Sequence, residues 1–299
     1  MLYRRGDSSY APRVTNDSPK LTVTNHDRDR SGHTYVYPVI SRRSGGVSVG
    51  INLNPNRACN FRCIYCQVPN LRRGVAPEID LSQLDQELDS FIEELLEGDY
   101  MEQNVPEGSR RLMDVALSGD GEPTTCKRFD RVIETIASVL VRHKLVGTIK
   151  VVLITNGTMI HRPEVQRGLA AMANIGGDVW FKIDGGSETR RRTVNDFSLG
   201  DSTLLRNLAT AAGLCPTRIQ TCVFSLDGQA PSLSDCDDYL ALLTRALAAG
   251  VSLQGVSLYG IARSSQQPEA ARLGRLRRAW LESFGARIEA LGISATVHE

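Results

Sequence analysis

From Gly46 onward, short runs of alternating apolar and polar residues are separated by longer runs with helical spacing. Val47, Val49, Ile51 and Leu53 stand two apart, the pattern of a strand with one apolar face, and Pro55 ends it. Leu81, Leu84, Leu88, Phe91, Ile92, Leu95 and Leu96 share one helical face; Asp80 and Gln83 predict a capping box ahead of it, and Gly98 a stop behind it. The two patterns then repeat. Strands are predicted near 113–118, 149–155, 178–184, 218–225 and 255–261, and helices near 128–144, 163–174, 201–212 and 235–249. A last helix is expected to open at Pro268, with Leu273, Leu276, Trp280, Leu281 and Phe284 as its stripe. Six strands alternating with helices predict an α/β fold with a parallel sheet, wound open or as a partial (β/α)6 barrel. Functional loops in such folds lie at the carboxyl ends of the strands. Residues 1–35 carry almost no apolar period and read as a flexible or extended tail, which leaves 36–299 as the domain.

Composition narrows the function more than the fold. The 299 residues are 41 % hydrophobic and 23 % charged, with a formal net charge of +1, which excludes a strongly basic nucleic-acid coat. No window approaches the roughly 18–20 apolar residues of a membrane span, and the charged start lacks the apolar core of a signal peptide. A cytoplasmic protein with no membrane partner is therefore expected. Only 5 of the 35 basic residues are lysines, so each lysine is informative. Seven cysteines without an export signal point to metal binding or burial rather than disulfides.

Three of them, Cys59, Cys63 and Cys66, fall within eight residues in a C-x3-C-x2-C spacing, directly after the first predicted strand. Three thiolates this close can converge on one metal centre, yet they are one ligand short of structural zinc or an ordinary cubane. A three-thiolate [4Fe–4S] cluster leaves one iron open, which suits catalysis. A non-catalytic zinc or iron–sulfur module with a distant fourth ligand is the alternative. Cys126, Cys215, Cys222 and Cys236 form no compact set and read as buried.

The cysteine triad, with Tyr65 before its third member and a (βα) series behind it, resembles the signature of radical S-adenosylmethionine (SAM) enzymes. That resemblance implies a radical SAM type of partial barrel. It also implies a [4Fe–4S] cluster whose open iron takes the amino and carboxylate groups of SAM, and reductive cleavage to a 5′-deoxyadenosyl radical. An electron donor such as flavodoxin or ferredoxin is implied too. In Ser118-Gly-Asp-Gly-Glu-Pro-Thr124 it points to Glu122 for the methionine amine, with Gly119, Asp120 and Gly121 supplying backbone. It points to Asn156, after the third strand, for the ribose, and to Tyr65, with Tyr259 as a second aromatic, for the adenine.

On the fourth strand, alternation places Trp180, Lys182 and Asp184 on the lumen face, opposite Val179, Phe181 and Ile183. Buried charges need partners. Lys182 and Asp184 either contact SAM or substrate, with Lys182 meeting a carboxylate, which makes both cofactor-binding candidates and Lys182 a catalytic one, or they pair with each other. The Arg190-Arg-Arg192 run and an arginine-rich helix at 272–278 read as surface, or as holders of a phosphate or carboxylate.

Val36–Leu53, Ser118–Thr124 and Phe181–Asp184 are similar to the branch related to the wyosine-base (4-demethylwyosine) synthases. Those enzymes carry three further cysteines ahead of the main triad and act on tRNA. This chain has no cysteine before Cys59, so a second cluster is not carried over. A small-molecule substrate is expected first, and an RNA base second should arginines cluster beside the mouth.

Overall fold

Alternation gives each strand an apolar face for helices and a second face for a shared lumen. The computed structural model describes Leu21, residues 32–41 and residues 45–298. Its strands are β1 (Val36–Ser41), β2 (Gly46–Ile51), β3 (Ala58–Cys59), β4 (Arg72–Arg73), β5 (Leu112–Leu117), β6 (Lys150–Thr155), β7 (Gly177–Lys182), β8 (Thr217–Cys222), β9 (Ser225–Leu226), β10 (Val256–Tyr259), β11 (Leu273–Gly274) and β12 (Ala295–His298). Its helices are α1 (Leu81–Leu96), α2 (Tyr100–Asn104), α3 (Phe129–Arg142), α4 (Pro163–Ala173), α5 (Glu188–Asn195), α6 (Asp201–Leu214), α7 (Leu233–Ala248) and α8 (Arg278–Glu289).

Eight strands form one sheet in the order β1-β2-β5-β6-β7-β8-β10-β12, curled into a half-barrel. β1 pairs antiparallel with β2, and the later neighbours are all parallel. Val47, Val49 and Ile51, Val115 and Leu117, Val151 and Leu153, and Val179 and Phe181 are completely buried in the core beneath the helices. Their alternates, among them Ser48, Gly50, Ala116, Val152, Ile154, Trp180, Lys182 and Gln220, line the lumen.

The six expected strands are β2, β5, β6, β7, β8 and β10, so the parallel half-barrel is the predicted one. Its edges were not predicted. β1 is almost wholly buried and shows no alternation, and Pro38 speaks against a strand; an edge strand tolerates proline because one of its sides needs no N–H donor. β12 is only four residues long.

The last helix departs from the expectation as well. It begins at Arg278, not Pro268; residues 268–277 hold a short 3-10 turn, Ala270–Arg272, and β11, whose Leu273 pairs with Leu226 of β9. The arginine-rich stretch at 272–278 is therefore not a helix until its last residue, Arg278. α5 carries the Arg190–Arg192 run and has no apolar stripe to announce it; the Ser187 hydroxyl caps it by accepting from the Arg190 N–H.

At α1, Asp80 caps the N–H groups of Ser82 and Gln83, but the reciprocal half of the expected box is absent. The Gln83 amide turns instead to Thr34 and to Glu87, whose buried carboxylate accepts the backbone N–H groups of Thr34, Tyr35 and Val36. The expected tail over residues 1–35 lies outside the described residues except at Leu21 and from Gly32 onward. Leu21 is buried and donates its N–H to the Asn104 carbonyl.

Gly157 follows β6 at φ +74°, where a Cβ would lie 2.0 Å from Cζ of the fully buried Phe181. Gly157→Ala is expected to lower unfolding free energy by about 3 kcal/mol, from left-handed backbone strain plus overpacking, as read by urea unfolding. A change below about 0.5 kcal/mol would show that the turn relaxes freely.

Candidate active site

The carboxyl ends of the parallel strands open on one cleft of about 370 Å³. Cys59, Cys63 and Cys66 all line it, as do Tyr65, Gly119, Asp120, Gly121, Glu122, Asn156, Lys182 and Tyr259. Asp184 alone among the expected site residues stands off it. β7 ends at Lys182, so the strict alternation that would carry Asp184 into the lumen stops two residues short. Asp184 sits behind Lys182, in a small hollow shared with Arg191 and Asn195.

The cysteine loop is held on every side. β3 pairs with β4, and the Gly74 N–H donates to the Cys59 carbonyl. Ile64 N–H donates to Val194 O at 2.9 Å, and Arg62 N–H to Asn195 O at 3.1 Å, which docks the loop on the end of α5. Arg62 makes a two-pronged ion pair with Glu269 at 2.9 Å and a further contact with Asp196 at 3.1 Å. Ser265 donates to the carbonyls of Ile64 and Cys66, and Gln267 to that of Val68. Burial pushes the thiols of Cys59 and Cys63 up to about 12, against the lowering influence of the Phe61 N–H on Cys59 and of the Lys182 ammonium on Cys63. A bound metal would displace those protons.

Lys182 occupies the middle of this wall. Its ammonium donates to the hydroxyls of Tyr65 (2.5 Å) and Tyr259 (3.0 Å) and lies 3.6 Å from Asp184. Asp184 accepts from the Tyr65 hydroxyl at 2.5 Å, the Asn195 amide at 2.9 Å and the Cys222 N–H at 2.9 Å. Burial is the largest single influence on Lys182 and lowers its pKa, but Asp184 together with Tyr259, Cys63 and Cys222 outweighs it and holds the ammonium well above its ordinary value. Burial likewise keeps Tyr65 a neutral phenol. Lys182 thus has the structural partner that its place on the strand demanded, and it still faces the cleft.

Glu122 is buried on the opposite side. One oxygen accepts from the Thr124 N–H and hydroxyl and from the Thr155 hydroxyl; the other accepts from the Asn156 N–H at 2.7 Å. The carboxylate therefore joins the β5 loop to the end of β6 and keeps capacity on the second oxygen. Asn156 donates to Asn60 in the cysteine loop at 2.8 Å and accepts from Thr158. Gly121 passes so close that a Cβ would lie 2.1 Å from the Ala58 carbonyl.

Sequence reasoning missed the asparagines that join these pieces. Asn52 binds Asp120 through both its amide and its carbonyl. Asn54 donates to Ala58 O at 2.9 Å, and Asn195 reaches both Asp184 and the Cys63 sulfur. The Asn52-Leu-Asn54 pair, following a strand and preceding the cysteines, was the available signal for the first two. Tyr37 also enters the lumen, its hydroxyl 3.0 Å from that of Ser118.

The fold is a parallel half-barrel with three thiols lining the mouth at the carboxyl ends of its strands. Residues 53–226 match the Radical SAM superfamily, and the chain belongs to it, a superfamily of enzymes that work with an iron–sulfur cluster and SAM. Among solved structures, the fold resembles a radical SAM methyltransferase from Sphaerobacter thermophilus (TM-score 0.56, 13 % identity, covering 88 % of this chain and 69 % of that one). It also resembles TYW1 with a lysine–pyruvate adduct bound (TM-score 0.53, 14 % identity, 81 % and 73 % covered). A third is SuiB from Streptococcus suis bound to S-adenosylmethionine (TM-score 0.52, 11 % identity, 85 % and 47 % covered). Such identities show the fold alone. Similar curated proteins are a GTPase Obg from Brachyspira hyodysenteriae, 30 % identical over 132 residues, and a UPF0026 protein from Helicobacter pylori, 28 % identical over 134. Each match takes in 44 % of this chain, and the chain spans 17 % and 37 % of those two proteins.

Burial raises the Glu122 carboxyl above its ordinary 4.5, against the lowering hydrogen bonds from Asn156, Thr124 and Thr155. A carboxyl whose pKa rises on folding holds its proton more tightly when folded. Its contribution is therefore greatest below its ordinary value and falls as pH rises through the raised one. Glu122→Gln removes this slope. Unfolding free energy, variant minus parent, should rise from about pH 4 to pH 7 in urea titrations; a flat or falling difference refutes the assignment.

Proposed function

We propose that this chain is a radical SAM enzyme that binds one [4Fe–4S] cluster through Cys59, Cys63 and Cys66 and acts on a small molecule held in the lumen. The observation that carries the reading is the convergence of three thiols, from one loop, on a single cleft that also gathers the expected SAM contacts. The donor set fits a cluster with one open iron.

Cys59, Cys63 and Cys66 would hold the cluster, which would supply the electron for reductive cleavage of SAM and so the radical chemistry by which hydrogen is removed from substrate. The chain's own residues bind, orient and exclude water. The second Glu122 oxygen accepts from the methionine amine. Asn156 faces the ribose, with its amide oriented by Asn60 and Thr158. The Lys182 ammonium meets a carboxylate, with its charge fixed by Asp184. The adduct named for TYW1 belongs to that protein.

A small molecule is favoured over RNA because the two arginines that brace the cysteine loop pair with acids, and Arg263, which lines the cleft, donates to the Gln67 amide oxygen. Arg62 is bound by Glu269 and Asp196, and Arg73 by Asp196. A one-electron donor such as flavodoxin or ferredoxin completes the cycle. Among the described residues no helix is long and apolar enough to cross a membrane, and the seven cysteines are free thiols, which suits the reducing cytoplasm.

Anaerobic reconstitution with iron and sulfide should load about four irons per chain in the parent and none in the variant with all three cysteines changed to alanine. Equal iron in both overturns the cluster assignment. In the loaded enzyme, Lys182→Met should weaken SAM or substrate binding roughly 10- to 150-fold, the loss of one charge-assisted hydrogen bond. A folded variant with unchanged binding and turnover leaves Lys182 with a structural role only.

A further inference from the structure

The side chain of Asn195 does something that the SAM contacts do not require. Asn195 is the last residue of α5 and is 3 % exposed. Its amide nitrogen donates to the Cys63 sulfur at 3.2 Å and to Asp184 Oδ2 at 2.9 Å. An amide NH2 has two hydrogens, and these two acceptors use both. Its main chain is fixed too, because its carbonyl accepts the Arg62 N–H and the preceding Val194 carbonyl accepts that of Ile64. The next residue, Asp196, turns into the left-handed region at φ +53° and is clamped by Arg62 and Arg73. The amide is therefore held from behind, and Asp184, itself fixed by Tyr65, Lys182 and the Cys222 N–H, sets its rotation.

The three cysteines are not treated alike. Backbone N–H groups of the loop itself reach the sulfurs of Cys59 (from Phe61, 3.4 Å) and Cys66 (from Val68, 3.5 Å). The Cys63 sulfur receives its hydrogen bond from a side chain 132 residues away, and at the shortest distance of the three. A hydrogen bond to a ligand sulfur stabilises the more negative, reduced state of an iron–sulfur centre and so raises its reduction potential.

We propose that Asn195 is a positioning residue that tunes the reduction potential of the cluster through the Cys63 sulfur, with Asp184 as the group that aims it. The inference rests on the cluster reading given above. Asparagine suits the position because an aspartate there would face Asp184 with a like charge and offer the sulfur no hydrogen. A leucine would keep most of the volume but no donor, and an alanine neither. Both leave Asp184 with its tyrosine, lysine and backbone partners.

The test is a potentiometric titration with dithionite and mediators, followed by electron paramagnetic resonance, on reconstituted parent, Asn195→Leu and Asn195→Ala proteins, with iron counted in each. With iron equal to the parent, both variants should show a midpoint lower by about tenfold in the reduction equilibrium, or 59 mV for a one-electron couple. Asn195→Gln, which keeps an amide donor, should recover part of that shift. A midpoint unchanged in either iron-loaded variant overturns the proposal. Loss of iron from both variants while the parent stays loaded also overturns it, since Asn195 would then hold the cluster rather than tune it. A parent that takes up no iron at all refutes the cluster reading itself, and the iron count separates that failure from the others.

Discussion

One buried carboxylate holds the working end of this molecule together. Asp184 gathers Tyr65 from the cysteine loop, Lys182 from β7, the Cys222 N–H from β8 and Asn195 from α5. A charge removed from water is costly unless it is both paired and hydrogen-bonded; Lys182 pairs Asp184, and Tyr65, Asn195 and the Cys222 N–H supply the hydrogen bonds. Each contact ties one more element to the same carboxylate, so the loop, the strands and the helix share one anchor.

A second buried carboxylate does the corresponding work across the cleft. Glu122 unites the β5 loop with the end of β6, and the same loop lies against the Cys59 side through Gly121 and Asn54. The cysteines are thus flanked by two polar networks with no slack in either. Both use the acceptor capacity of a carboxylate to order neutral donors, hydroxyls and amides, that no apolar core could hold in place. The rigidity that positions three sulfurs comes from these networks rather than from the loop, whose own backbone has little regular structure.

The half-barrel and its lumen were legible in the sequence because alternation fixes direction. Val179, Phe181 and Ile183 had to face helices, so Trp180 and Lys182 had to face inward. The cysteines were legible because their spacing is local. What could not be read depends on contacts between distant residues. Asn195 and Cys63 are 132 positions apart, and nothing in a polar helix with three arginines singles out its final asparagine. Asp184 stands behind Lys182 rather than in the cleft, because alternation holds only while the chain remains a strand. The late start of α8 has a similar origin: Leu273 and Leu276 have helical spacing, but Leu273 is used in pairing with β9.

The strap from Ser265 to Glu269 has a consequence for biosynthesis. Arg62 and its partner Glu269 are separated by 207 residues. A ribosome adding about 5–20 residues per second needs roughly 10–40 s to travel from one to the other. Over that interval the nascent cysteine loop exists without the segment that later closes over it. The order of translation therefore leaves the cysteine loop without these braces until the chain's own later residues emerge.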